Sequence, residues 1–161
     1  MLTVRFHPEV HDDGVFATER DTGELWHRVD NRVLYADTDR ADVVYHANYL
    51  RYFEVGRTAL LRAAGYPYKE IEASGFVHPI VDLAVAFHQR LQYDDPMWIY
   101  TRPVELLRVK LTFHYRILHG ETDVLVASGH TTHACLNRKG IPVAMDPSSV
   151  ALCARFGVTG P

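Results

Sequence analysis

The chain has 161 residues and a mass of 18.4 kDa, the size of one domain that buries roughly 70% of the surface its open chain exposes. With 47% apolar residues, 23% charged residues and a formal net charge of −3, it is neither disordered by composition nor a generally basic nucleic-acid binder. Two cysteines, Cys135 and Cys153, are too few for a disulfide framework and suit a reducing compartment. No stretch approaches the roughly 18 apolar residues of a membrane span, and residues 1–7 lack the apolar run of a signal peptide. The expectation is a cytoplasmic chain with no membrane span and no nucleic-acid partner.

Residues 1–24 are polar and rich in turn formers, His11-Asp12-Asp13-Gly14 and Asp21-Thr22-Gly23. They read as an N-terminal arm in which 15–20 folds back on 24–29 as a hairpin; residues 25–161 read as a single domain. From 25 to 35, Trp26, Val29, Val33 and Tyr35 favour a strand. The pattern breaks at Asp37-Thr38-Asp39-Arg40-Ala41-Asp42. Then Tyr49, Leu50, Phe53, Gly56, Leu60, Leu61 and Ala64 recur at helical spacing, with Arg51, Glu54, Thr58 and Arg62 on the other side. This predicts one long helix over about 48–64, capped by Asn48 and stopped by Gly65. A short second helix is expected within 67–74.

Beyond Gly75 the period is two. Val81, Leu83, Val85 and Phe87 alternate with Asp82, Ala84, Ala86 and His88. Further strands are predicted over 97–105, 109–117 and 123–136. Turns at Asp94-Asp95-Pro96, His119-Gly120-Glu121 and Asn137-Arg138-Lys139-Gly140 separate them, and a short helical tail is expected around 149–156. Such turns are too short for parallel crossovers, so the sheet is antiparallel with the lone helix on one face. The class is α+β. It excludes a doubly wound nucleotide fold, and neither GxGxxG nor GxxxxGK[ST] is present.

Chemistry concentrates between Tyr35 and Tyr49, where three carboxylates, a histidine and three tyrosines meet at a strand-to-helix junction. Part of this is structural by default: Asx residues before a helix make turns and caps, Asp37 in particular, and Tyr45 and Tyr49 fit a core. The functional reading rests on the helix start, whose free N–H groups and positive dipole end hold an anion or a developing oxyanion. A carboxylate beside such donors can attack a polarised carbonyl or activate water against it. Acyl transfer is one reaction class among several that this permits.

The run Asp37-Thr38-Asp39-x-x-x-Val43-Val44-Tyr45-His46-Ala47-Asn48-Tyr49, followed by Phe53-Glu54 and Arg57-Thr58, resembles the signature of hotdog-fold acyl-CoA thioesterases. The likeness is to the 4-hydroxybenzoyl-CoA thioesterase family and its YbgC-like branch. It covers about 28–147 in element order and is specific mainly over 35–58. The resemblance implies a hotdog fold, an antiparallel sheet wrapped around one long central helix, and hydrolysis of an acyl-CoA thioester to a carboxylic acid and free CoA. It implies Asp39 as nucleophile or general base, the His46 backbone N–H as oxyanion donor, and the His46 ring and Tyr35 hydroxyl as assisting groups. No metal and no cofactor are implied, coenzyme A being part of the substrate. A homodimer or homotetramer is expected, because relatives assemble so and a sheet with free edges must pair or be capped. The family usually has glycine before Val-Val-Tyr; here Asp42 takes that place, which bears on the turn and on the charge near Asp39.

Other constellations are read as ordinary. Asp37-x-Asp39 after an apolar strand is faintly like the haloacid dehalogenase phosphatases, whose parallel crossovers are missing. His130-x-x-His133 would put its rings on opposite faces of a strand, the wrong arrangement for zinc. Glu54 has Arg57 and Thr58 within reach and is read as a side-chain pair, and Cys135 and Cys153 as buried and inert. Arg138 and Lys139, at a hairpin tip, are candidates for the phosphates of coenzyme A. The rival function is a non-catalytic hotdog module that binds acyl-CoA or acyl-carrier protein.

Overall fold

The computed structural model describes residues 2–11 and 14–161, with side chains outside 7–14. Three N-terminal strands, β1 (Phe6–His11), β2 (Gly14–Glu19) and β3 (Leu25–Arg32), lead through a 3-10 turn (Tyr35–Asp37) to α1 (Asn48–Ala63) and α2 (Tyr68–Ala73). There follow β4 (Phe76–Val77), β5 (Ile80–Phe87), β6 (Pro96–Leu106), β7 (Lys110–His119), β8 (Leu125–Ala134), β9 (Leu136–Asn137) and α3 (Pro147–Arg155). Seven strands form one sheet in the order β1-β2-β3-β6-β7-β8-β5, each neighbour antiparallel. β4 and β9 make a separate two-stranded ladder. The expected α+β hotdog architecture is therefore present, with α1 against β3, β6 and β7.

The Asp21-Thr22-Gly23 turn joins β2 to β3, with Val15 opposite Arg28 and Thr18 opposite Leu25. The turn expected at 11–14 falls on Asp12 and Asp13, outside the described residues. Gly65 and Gly75 follow the two helices with φ of 86° and 99°, the left-handed stop that glycine adopts freely.

The stripe Tyr49, Tyr52, Phe53, Gly56, Leu60 and Leu61 of α1 is buried against Met97 and Ile99 of β6 and Phe113, Tyr115 and Ile117 of β7. Each such side chain contributes about 1.5–3 kcal/mol of burial. Phe53 stacks on Tyr115 with ring centroids 4.3 Å apart. A second cluster lies on the opposite face, where Trp26, Tyr100, Leu118 and Leu125 are covered by Val4, Phe6 and Trp98. Phe6 lies flat on Tyr100 at 3.8 Å, and Thr3 bridges to Val124. The segment before β1 thus crosses the outer face of the sheet.

Three local expectations are corrected. The strand predicted to run through Tyr35 ends at Arg32, which pairs with Pro96; beyond it the Val33 N–H turns to Asp95 O and Tyr35 enters the 3-10 turn. Asn48 is not the N-cap. Ala47 holds that place with helical φ and ψ of −68° and −23°, so Asn48 is already inside the helix and its amide donates back to Asp37 O at 2.9 Å. Finally, β5 does not bury one face: all its residues but Val85 are exposed, because it is the last strand of the sheet and only β8 pairs with it.

Candidate active site

After the 3-10 turn the chain doubles back on itself. The Tyr45 N–H donates to Asp37 O at 2.9 Å, Thr38 bridges to Val44, and the Asp39 N–H donates to Val43 O at 2.9 Å. The Asp42 N–H closes the tip on Asp39 O at 3.0 Å. Asp42 has a φ of 59°, the left-handed conformation that glycine takes freely and aspartate at a cost of about 1–2 kcal/mol. The turn therefore survives the replacement of the family's usual glycine. Asp39 uses one carboxylate oxygen, Oδ1, to accept the Ala41 N–H at 2.8 Å. Its Oδ2 has no partner among the described residues, and the side chain is partly exposed.

Asp37, two residues earlier, is spent entirely on structure. Its side chain is 3% exposed. Oδ2 accepts the Tyr52 hydroxyl at 2.9 Å and the Leu34 N–H at 3.2 Å, and Oδ1 pairs with Arg51 Nη1 at 3.0 Å. The Tyr52 phenol is raised above its ordinary pKa by burial and by that hydrogen bond to a carboxylate. With its carbonyl taking the Tyr45 N–H and the Asn48 amide, Asp37 fastens both arms of the hairpin to the first turns of α1.

At the start of α1 the N–H groups of Asn48, Tyr49 and Leu50 donate to Tyr45, His46 and Ala47 carbonyls. The N–H groups of His46 and Ala47 have no acceptor among the described residues, and both residues are exposed. The His46 ring lies 4.3 Å from that of Tyr45. His46 lines an open cleft of about 590 Å³, walled by Val43, Val44, His46 and Tyr49 on one side and by 87–90 on the other. Tyr49 is buried, its phenol pushed up to about 12 by burial, and the Phe87 ring meets it edge-on at 5.2 Å.

The hairpin joins Asp39 and His46 at one helix entrance, Asp39 at the tip and His46 at the base; Asp39 itself does not line the cleft. Tyr35 stands apart: 78% exposed, it meets Tyr93 edge-on at 5.5 Å. Arg138 is committed elsewhere, its Nη2 donating to Ala73 O at 2.9 Å at the end of α2, while Lys139 is exposed beside it. Glu54 is exposed, and Thr58 Oγ1 donates to its carbonyl rather than its carboxylate; Arg57 lies over the Tyr68 ring. The two β8 histidines do face opposite ways: His130 Nε2 meets Asp82 Oδ2 at 2.7 Å, and His133 bonds Thr131 and the His78 carbonyl. Both cysteines are buried and free, and burial raises their thiols, Cys153 to about 12. The sequence reading missed the far wall, Phe87 through Arg90, since nothing local announces that the end of β5 will meet the start of α1.

An antiparallel sheet around one long helix, with an aspartate hairpin at that helix's entrance, defines the hotdog-fold class. The chain belongs to the thioesterase-like superfamily, whose family model matches residues 33–152. Among relatives, YneP of Bacillus subtilis is 36% identical over 100 residues, covering 61% of this chain and 72% of that one. The acyl-CoA thioesterase YbgC of Haemophilus influenzae is 32% identical over 107 residues, covering 66% and 77%. The crystal structure of a hypothetical protein from Aquifex aeolicus superposes with a TM-score of 0.74 at 29% identity, over 78% of this chain and 97% of that chain.

Proposed function

We propose that this chain hydrolyses acyl-CoA thioesters, with Asp39 as nucleophile or general base. The observation that carries the reading is a single braced hairpin: an unpaired Asp39 carboxylate oxygen on one side, and the unclaimed N–H groups of His46 and Ala47 at the start of α1 on the other. A thioester carbonyl oxygen received by the His46 N–H gains partial positive charge at carbon, and the negative charge that develops during attack is held by that donor and the helix dipole. Asp39 Oδ2 then forms the new bond to carbon itself, or takes a proton from the water that does. Collapse of the adduct expels the coenzyme A thiolate, a good leaving group that needs no metal. Attack by Asp39 leaves a mixed anhydride that one water then opens; the general-base route hydrolyses the thioester directly, without an acyl-enzyme.

The His46 ring, exposed in the cleft, and the Tyr35 hydroxyl are assisting groups of lower rank. Of the two candidates for coenzyme A phosphates, Lys139 is exposed, its ammonium without a partner among the described residues, with Arg138 holding the turn that presents it. The likeness to acyl-CoA thioesterases supports an acyl-CoA enzyme, and two buried, free thiols suit a reducing, cytoplasmic setting.

A thiol-release assay with benzoyl-CoA and with short- and long-chain acyl-CoAs tests the reading. Turnover on at least one of them is expected, and Asp39→Asn should keep the fold while lowering kcat at least about 100-fold. Near-wild-type turnover of that variant would reject Asp39, and inactivity across the whole panel would favour a binding module over an enzyme.

A further inference from the structure

Beneath the sheet, away from the His46 cleft, a chain of buried polar groups runs from β7 to α3. His133 Nδ1 faces the His78 carbonyl, which only accepts, at 3.0 Å; the ring proton therefore sits on Nδ1 and Nε2 accepts the Thr131 hydroxyl at 2.8 Å. Thr131 in turn takes the Tyr115 O–H at 2.7 Å. Every atom of this chain is accounted for as far as His78. There the accounting stops.

His78 Nε2 and Asp146 Oδ2 form a buried ion pair at 2.9 Å, and neither atom has a further partner among the described residues. The Cys135 thiol completes the group: one ligand atom each from His78, Cys135 and Asp146 all lie within 4.8 Å of one another. The three residues are 8%, 0% and 2% exposed, and they come from three separate segments, the link between β4 and β5, the link between β8 and β9, and the N-cap of α3. A buried imidazole and carboxylate that meet only as an ion pair are costly to desolvate, and a cation held between them would satisfy both.

We propose that His78, Cys135 and Asp146 bind a divalent zinc ion that clasps α3 to the β4–β5 and β8–β9 links. The donor set is imidazole nitrogen, thiolate sulfur and carboxylate oxygen, which suits a borderline-soft cation and not magnesium or calcium, both of which take oxygen ligands. Two ligands of a tetrahedral ion at about 2.0–2.2 Å each stand about 3.4 Å apart, so binding must open the 2.9 Å His78–Asp146 pair by about half an ångström and turn the Cys135 thiol, within 4.8 Å of both, toward the ion. The thiol is weakly held, donating to Ala144 O at 3.5 Å. Charge closes as well, since one thiolate and one carboxylate neutralise the dication that a dry site otherwise could not hold. Asp146 is held in place for the purpose: Oδ1 accepts the Ser149 N–H at 2.9 Å, the kind of outer contact that orients a ligating carboxylate. Positions 78, 135 and 146 form no metal motif in the sequence, which is why the sequence reading named no metal. None of the three lines the His46 cleft, so the site is structural and independent of the thioesterase reading.

Because the site is closed, the ion enters during folding. The test is to purify the full chain from zinc-supplemented cells and measure metal by plasma mass spectrometry, then to unfold it in chelator and refold it with cobalt(II). One zinc per chain is expected, together with the thiolate-to-cobalt charge-transfer band in the near ultraviolet. Cys135→Ser should abolish the band and weaken zinc binding roughly 100-fold, while Cys153→Ser, which alters the buried thiol outside the cluster, should leave both intact. Sub-stoichiometric zinc in the folded wild type with no cobalt–thiolate band overturns the proposal whatever the variants do. So does a band that survives Cys135→Ser or vanishes with Cys153→Ser.

Discussion

Asp37 and Asp39 stand two residues apart and have opposite fates, and hydrogen-bond accounting explains the difference. Every acceptor of Asp37 is taken by a neighbour, whereas Asp39 keeps an oxygen free. Asp37→Ala should therefore act on stability first. It strands the buried Tyr52 hydroxyl and the Leu34 N–H, and we predict a loss of about 2–4 kcal/mol in urea melts, with a much smaller loss of kcat per folded molecule than Asp39→Asn causes. His27 is a different case. It is fully buried, with no hydrogen-bond partner for either ring nitrogen among the described residues, and burial, helped by Arg155, lowers its pKa to about 4; burial does the same to His133. The unfolded chain binds protons at these rings near pH 6.5 while the folded chain refuses them, so their contribution is complete above pH 6.5 and is lost as pH falls toward 4. Melts across that window should show stability dropping, and His27→Leu should remove a part of the drop of the order of 3 kcal/mol. An unchanged pH slope in that variant would contradict the assignment.

At the scale of elements, the join between α1 and β6 depends on one missing methyl. A Cβ on Gly56 would overlap Thr101 Oγ1 and would sit 2.7 Å from Ile99 Cγ2. Gly56→Ala gains up to about 1 kcal/mol in helix propensity, but overpacking costs about 1–3 kcal/mol, so a net loss of stability is predicted by thermal or denaturant melts. The helix period showed Gly56 on the buried face; that the sheet approaches so closely there is decided by β6. The misplaced cap has the same origin. Asn48 looks like a cap because its chemistry is right, but the backbone at Ala47 has already turned helical, and the amide is used to brace the hairpin instead.

For the whole molecule, the two edges of the sheet are treated differently. On one side β2 and β1 continue the sheet beyond β3, and Val4 together with Phe6, the first residue of β1, covers the outer face, with Phe6 on Tyr100. On the other side β5 pairs only with β8 and leaves its outer edge open among the described residues, with Val81 52% and Phe87 54% exposed. An open apolar edge is a surface for pairing, and it borders the His46 cleft through Phe87. We predict that light scattering gives a multiple of 18.4 kDa, a dimer or tetramer, and that Val81→Lys shifts it toward monomer with reduced turnover. Monomers alone in the wild type would contradict this.

The sequence by itself determined the α+β class, the long helix, the antiparallel order and the stretch from Tyr35 to Tyr49, because periodicity, turn residues and a contiguous motif are all local properties. It could also separate His130 from His133, since strand alternation is enough to put them on opposite faces. What only the tertiary structure decided is everything that joins distant segments: the cleft wall supplied by the end of β5, the exposure of β5 itself, the outer-face packing of Phe6, and the convergence of His78, Cys135 and Asp146. Those outcomes depend on which strand lies beside which and how closely layers approach, and the free energy of such contacts is set by burial between residues that share no local pattern.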